Sequence, residues 1–302
     1  MIVSLTGASG FIGSYTAAAL NRAGHRVRAL VRPSSRRDHI ERHVDQWVVG
    51  EQSDPRSIDA MVDGVDCVIH SSIDWNAPEE RDSENALNNT LASLRLLEST
   101  RLAGVKQFVF VSSMAALREI SDEWNGQITE THPTWPDELY GAFKAAIEPF
   151  LKAYHFAYKM NTSAWRPTAV YGVDPNLTRS RWFELIDKVR RGETIDTAHL
   201  GKIVFVNDVA DALTLAVGDE LVSGQFYNLV DCFMHWQQAA EYARQLSGSS
   251  AKIVDRKGQG PKNRFDCSKA IAFFARHGHH VALRRGHEGV RQYVDVLLRQ
   301  MK

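Results

Sequence analysis

The run Ile2-Val3-Ser4-Leu5-Thr6 passes without a break into three glycines spaced three apart, Gly7, Gly10 and Gly13, and from there into a helical pattern. A strand that turns straight into a helix through glycines leaves few folds open. Residues without a Cβ let the backbone approach a ligand, and the turn aims unpaired N–H groups and the positive end of the helix dipole at one point. Phosphate is the group such a turn holds. At the first strand of an alternating α/β pattern, the pyrophosphate of a dinucleotide is expected there. On this reading Gly7 and Gly10 make the approach, Ser9, Phe11 and Ile12 stand beside them, and Gly13 lets helix pack on strand. An ordinary tight turn is the other reading of such glycines taken alone.

The alternation is present. Strand-like apolar runs cover 2–6, 26–31, 46–49, 67–70, 107–112 and 162–166, and apolar residues three and four apart mark helices over 17–23, 57–62, 87–103 and 139–158. This pattern predicts an α/β protein with a doubly wound parallel sheet, whose ligands sit at the carboxyl ends of the strands. Beyond Gly172 the alternation breaks down into a loop over 173–178 and a short amphipathic helix over 182–191.

At 302 residues the chain suffices for one large core or for a nucleotide-binding core with a smaller lobe. Lys plus Arg and Asp plus Glu both number 36, so no charge excess points to nucleic acid or an anionic membrane, and neither is expected as a partner. Cys67, Cys232 and Cys267 are too scattered for a disulfide frame or a structural zinc. A cytosolic location fits them. With a strand expected from Ile2 no signal peptide is expected, and no apolar stretch is long enough to span a bilayer.

The segment Thr6 to Gly13, with its Gly-x-x-Gly-x-x-Gly spacing, and the pair in Tyr140-Gly141-Ala142-Phe143-Lys144 together resemble the short-chain dehydrogenase/reductase superfamily, in particular its extended, epimerase/dehydratase-like branch. The resemblance spans roughly 1–229. It implies a Rossmann domain over 1–172, with return segments near 203–229, and a smaller C-terminal substrate-binding lobe over 173–302. Tyr227-Asn228-Leu229 and a helix over 235–246 resemble parts of that lobe. It also implies a catalytic trio of Ser113, Tyr140 and Lys144, with Ser112 as the alternative serine. Tyr140 and Lys144 lie one helical turn apart, so the ammonium is expected to favour a phenolate and bring Tyr140 into use near neutrality. Lys144 is further implied to hold the nicotinamide ribose. Arg166-Pro167-Thr168-Ala169-Val170-Tyr171-Gly172 resembles the segment whose Pro and backbone face the nicotinamide, which assigns Pro167 and Val170 to the cofactor. Val206-Asn207-Asp208-Val209-Ala210 resembles the start of a late helix, and Asn89 takes the place of a structural helix asparagine. Phe143 where serine is common, His70-Ser71-Ser72, Gly50-Glu51-Gln52 and Leu117 depart from the pattern; Ser71 and Ser72 still fall beside the cofactor.

Charge at the end of the second strand selects between NAD and NADP, because an acidic residue there binds the ribose hydroxyls and a cation the extra phosphate. Here Arg32 follows Val31, with Ser34, Ser35, Arg36 and Arg37 nearby, so NADP is expected and NAD stays open. Asp74, Trp75, Asn76, Met114 and Trp182 are expected as contacts to a small-molecule substrate, with core packing as the alternative; Trp124 and Trp135 border the same region. His277, His279 and His280 share a glycine-containing loop, which does not amount to a metal site. The helices over 87–103 and 139–158 suit either a homodimer or packing within one chain. Three functions follow: an NADP-dependent carbonyl or alcohol oxidoreductase, a nucleotide-sugar epimerase or dehydratase, or a non-enzymatic dinucleotide sensor, the last disfavoured by the Tyr and Lys.

Overall fold

The computed structural model describes residues 1–74, 82–117, 125–256, 260 and 263–301. Its strands are β1 (Ile2–Thr6), β2 (Arg26–Val31), β3 (Gln46–Val49), β4 (Cys67–His70), β5 (Gln107–Val111), β6 (Gln127–Ile128), β7 (Asn161–Pro167), β8 (Ala169–Tyr171), β9 (Leu200–Phe205), β10 (Gln225–Leu229), β11 (Cys232–His235) and β12 (Arg264–Phe265). The helices are α1 (Phe11–Arg22), α2 (Pro55–Val62), α3 (Asp82–Leu102), α4 (Leu139–Tyr158), α5 (Phe183–Arg190), α6 (Val206–Leu215), α7 (Trp236–Ser247), α8 (Ser268–Arg276) and α9 (Gly286–Gln300).

Seven strands pair in parallel in the order β10-β7-β5-β4-β1-β2-β3. Helices cover both faces, so the central strands β4, β5 and β7 are buried along their whole length; β4 and β5 read as near-continuous apolar runs, while β7 carries buried Asn161, Thr162, Ser163 and Arg166. On one face Ala17, Leu20, Val209, Leu213 and Phe273 of α1, α6 and α8 form a core; on the other, Ile58, Met61, Leu97, Phe143 and Ile147 of α2, α3 and α4 form a second. This is the Rossmann-like architecture expected from the alternation. Strand order reverses at β1, between β2 and β4, and ligand crevices open at such a switch point.

Local chemistry sets the element ends. Asp54 caps α2 by accepting from the Arg56 N–H, with Pro55 at the first helical position, and Gly248 closes α7 at φ 67°. Both α1 and α3 begin earlier than periodicity suggested: in α1 the stretch Gly13-Ser14-Tyr15-Thr16 after Phe11 and Ile12 interrupts the apolar period, and α3 carries Asp82-Ser83-Glu84-Asn85, without an apolar residue, ahead of it. Tyr227-Asn228-Leu229 belongs to the edge strand β10 of the main sheet, not to the smaller lobe. Tyr227 stacks on Trp165 of β7 at 4.2 Å, which ties that edge to the core.

The smaller lobe combines the sheet β11-β9-β8 with α5, α7 and α9 around Tyr171, Ile186, Val189, Met234, Ala243 and Val294. Asp208, fully buried at the start of α6, accepts from the Arg285 guanidinium and the Leu283 N–H, while Asp231 accepts from the Gly286 N–H. These carboxylates pin the segment leading into α9. No described helix is long and apolar enough to cross a membrane.

Candidate active site

Gly7 sits at φ 71°, and a Cβ there would meet the Ser72 Cα at 2.9 Å; a Cβ on Gly13 would meet the Gly7 carbonyl oxygen at 2.0 Å. The turn after β1 is therefore pressed against both α1 and the segment after β4, and only glycine fits. No side chain caps α1, which leaves its first-turn N–H groups for a ligand. A cavity of about 190 Å³ opens beside this turn, lined by Gly7, Ser9, Gly10, Arg32, Ser35, Gln52, Ser71, Ser72 and Asp74. Phe11 and Gly13 do not line it. Phe11 packs edge-on to Tyr15, and Gly13 does the packing work expected of it.

The wall of this cavity is braced from below. The Thr6 hydroxyl accepts from the Ser71 and Ser72 N–H groups at 3.1 and 3.2 Å and lies 2.8 Å from His70 Nδ1. Ser93 donates its proton to the Asn89 carbonyl, so His70 Nε2 must donate to Ser93 at 2.8 Å, and Nδ1 accepts from Thr6. Burial and the Lys144 charge hold His70 neutral, its pKa pushed down to about 3. Asn89 clasps Asp74 through both its backbone N–H and its carbonyl, and Gln52 accepts from Ser72. Asn89 is thus structural.

Arg32 is exposed at the mouth of the cavity. Its neighbours are engaged elsewhere: Arg36 pairs with Asp38 at 2.7 Å and Arg37 lies over Trp47. Ser35 lines the cavity and accepts from the Arg32 N–H.

A second cavity of about 800 Å³ adjoins the first through Ser71 and Ile73 and lies over the carboxyl ends of β5 and β7. It is lined by Ile12, Ser113, Met114, Glu138, Tyr140, Lys144, Pro167 and Val170 on one side, and by residues of β9, β11 and β12 on the other. Ser113 hydrogen-bonds Tyr140, and Lys144 lies one turn further along α4, 5.8 Å from the Tyr140 ring centre. Ser112 also reaches the lining, but its hydroxyl donates to buried Glu148 at 2.7 Å, which leaves Ser113 as the serine turned to the cavity. Glu148 is in turn clamped by the buried Arg166 guanidinium at 2.6 and 2.8 Å. That tie joins α4, β5 and β7 directly behind Ser113.

Electrostatics correct one expectation. Burial outweighs the Ser113 hydrogen bond and raises the Tyr140 pKa, so Tyr140 is held protonated. Lys144, 1% exposed and donating to the Val111 carbonyl at 2.7 Å, is itself pushed down to about 7 by burial, only partly offset by Glu148. Burial thus weakens the positive charge that spacing alone places beside the Tyr140 hydroxyl.

Of the substrate contacts expected, Met114 lines the large cavity and Asp74 the smaller one, while Trp75 and Asn76, like Trp124, lie outside the described residues. Trp182 is a correction. It is 5% exposed, packed near Tyr171 and Tyr293 at 6.1 Å, and does not line the cavity beside Tyr140. Its apolar area is better buried in the lobe core. Trp135 is 43% exposed and sits edge-on to His132. His277 and His279 face different carboxylates, Asp219 and Asp211, and no metal-binding cluster occurs among the described residues. Lys202, Phe233, Asn263 and Phe265 of the far wall carried no sequence signal, because only tertiary folding brings them to Tyr140.

The family described as "NAD dependent epimerase/dehydratase family" matches residues 3–229. Among curated relatives, a ketoreductase (sphI) of Aspergillus fumigatus is 26% identical over 288 residues, 84% of this chain and 86% of that protein. A UDP-glucose 4-epimerase of Corynebacterium glutamicum is 25% identical over 291 residues, covering 86% and 85%. Among solved structures, a Thermus thermophilus UDP-glucose 4-epimerase in complex with NAD superposes with a TM-score of 0.79 at 23% identity over 99% of each chain, a likeness of fold.

Proposed function

Because the chain belongs to the NAD dependent epimerase/dehydratase family, we propose that it is an NADP-dependent oxidoreductase that interconverts a carbonyl compound and its alcohol. The observation that carries this reading is the Ser113–Tyr140 hydrogen bond beside buried Lys144, on a large cavity continuous with the glycine turn. The residues fit a dinucleotide: Gly7, Gly10 and the uncapped start of α1 would hold its pyrophosphate, Arg32 its extra phosphate, and Pro167, Val170 and Lys144 its nicotinamide end. When bound, the cofactor exchanges a hydride with the substrate carbon.

The chain's own groups manage the proton. In reduction Ser113 donates to the carbonyl oxygen and holds it beside Tyr140, and Tyr140, kept protonated by burial, delivers its phenolic proton to that oxygen. The phenolate left behind is the charge that Lys144 offsets. With a pKa near 7, Lys144 holds or gives up a proton at neutral pH and so can resupply Tyr140. Glu148 and Arg166 position Ser112, and through it the end of β5, without touching substrate.

The epimerase reading draws on relatives such as the Corynebacterium glutamicum protein. A nucleotide sugar brings a diphosphate, and among the described residues the large cavity offers Lys202 as its one cation besides Lys144, with Glu138 adding negative charge. That balance favours the reductase. Three unpaired thiols suit a reducing compartment, and we place the protein in the cytosol. The test is NADPH and NADH oxidation against a panel of ketones and aldehydes, run beside UDP- and GDP-sugars. NADPH consumption by a carbonyl compound is expected; sugar epimerisation without net cofactor consumption would overturn the proposal.

A further inference from the structure

Lys202 stands on the wall of the large cavity that faces away from the Tyr140 side. It is held there by register: on β9 it pairs with Phe233 of β11, and one residue later Ile203 pairs with Ala169 of β8. Its ammonium donates to the side-chain carbonyl of Asn263 and lies 4.5 Å from the Phe265 ring centre. An ammonium carries three donors, and Asn263 occupies one.

Two facts make this an unusual cation. It is half-buried, and burial alone lowers its pKa, with no neighbouring charge contributing. Among the described residues no carboxylate pairs with it. The cation–π contact with Phe265 offsets part of the desolvation cost, but a half-buried ammonium remains short of a counter-charge. The lining also carries the apolar side chains of Ile73, Met114, Leu200, Phe233 and Phe265, which suit a ligand with an apolar body.

We propose that Lys202 is a specificity residue and that the carbonyl substrate has an apolar body bearing one carboxylate, which the Lys202 ammonium receives while Ser113 and Tyr140 hold the carbonyl. The inference rests on the oxidoreductase reading of the same cavity. One ammonium with donors to spare balances one carboxylate, and among the described residues the other cation of the cavity, Lys144, is buried beside Tyr140. The Asn263 contact restricts the ammonium's rotation, so a carboxylate meets a partly preorganised partner.

The test is calorimetric titration of the full chain saturated with NADP⁺, which permits ketone binding without turnover. The probes are phenylglyoxylate and 3-benzoylpropionate, each against its methyl ester, which keeps the carbonyl and the apolar body but removes the charge. At least one acid should bind more tightly than its ester. Lys202→Met should erode that preference by roughly tenfold to a hundredfold, the range for a charged hydrogen bond, and Lys202→Arg should retain it. Esters binding as well as acids in the wild type, no binding of either acid, or a preference that survives Lys202→Met would each overturn the inference. NADPH turnover of the same probes separates the two proposals. Lys202-dependent binding without reduction of any ketone keeps Lys202 as a carboxylate-binding residue but removes the reductase reading and, with it, the carbonyl part of the inference. Reduction of the esters with indifference to the acids does the reverse.

Discussion

Lowering the pH from 7.5 to 5 should destabilise the fold by about 2 kcal/mol through His70 alone. The imidazole is 2% exposed, with Nδ1 accepting from Thr6 and Nε2 donating to Ser93, so a second ring proton has no acceptor and no water to meet it. Its pKa is pushed down to about 3, first by burial and then by the Lys144 charge. In the unfolded chain a histidine titrates near 6.5. Between those values the unfolded state binds a proton that the folded state refuses. The stability contribution is therefore whole above about 6.5 and is lost as the pH falls towards 3; at pH 5 the gap of roughly 1.5 pKa units corresponds to about 2 kcal/mol. Chemical denaturation of the wild type and of His70→Asn at both pH values isolates this term, since the other titrating groups cancel in the difference of differences. Equal pH dependence in the two proteins, within a few tenths of a kcal/mol, would refute the neutral buried imidazole. The same proton would compete with the Thr6 hydroxyl that holds the Ser71 and Ser72 N–H groups, so dinucleotide affinity should weaken over the same window.

Tyr140→Phe should lower turnover roughly a hundredfold to ten-thousandfold with dinucleotide affinity nearly intact, because only the transferable proton is removed; activity above a tenth of wild type would take Tyr140 out of that role. Lys144→Ala should impair both turnover and cofactor binding, read by fluorescence titration of NADPH, and unchanged affinity would count against its ribose contact. Arg32→Ala should weaken NADP selectively, by roughly tenfold because the side chain is exposed and screened, and an equal loss for NAD would sink the phosphate assignment. Leu87 and Leu91 of α3 and Phe150 of α4 stay largely exposed in the single chain, which suits a homodimer through these helices. Light scattering should then give twice the chain mass, reduced to one by Phe150→Glu, and a monomeric wild type would end that expectation.

What could be read from the sequence was what is local. A parallel strand covered on both faces tends to be apolar, so β1, β4 and β5 are visible as runs bounded by turn residues, β2 and β3 as weaker ones towards the sheet edge, and α4 is visible by its period. The start of α1 was hidden because Gly10, which lines the small cavity, and Gly13, which packs on the Gly7 backbone, are poor helix formers that permit close approach. A coupling between function and weak local signal explains this better than chance. Trp182 shows the opposite failure: a large aromatic near a cleft in sequence is drawn into the nearest core, and only packing against Tyr171 and Tyr293 reveals which.

The electrostatics of the candidate site were the least legible part, and the reason is physical. Spacing placed Lys144 one turn from Tyr140, from which an ammonium-stabilised phenolate follows in water. What opposes it is burial of the Lys144 ammonium, which lowers its pKa, while the Glu148 charge, the Val111 carbonyl that accepts from it and the Phe110 and Phe143 rings centred 4.8 Å away favour the ammonium. Phe143 stands where the family resemblance leads one to expect serine, and its ring lies against Lys144. Burial keeps Tyr140 protonated and brings Lys144 to about 7, a poise that suits reduction. The Glu148–Arg166 pair, invisible as a pair in the sequence, supplies the counterweight: the Glu148 charge lifts Lys144 part of the way back while its oxygens accept from Arg166 and Ser112.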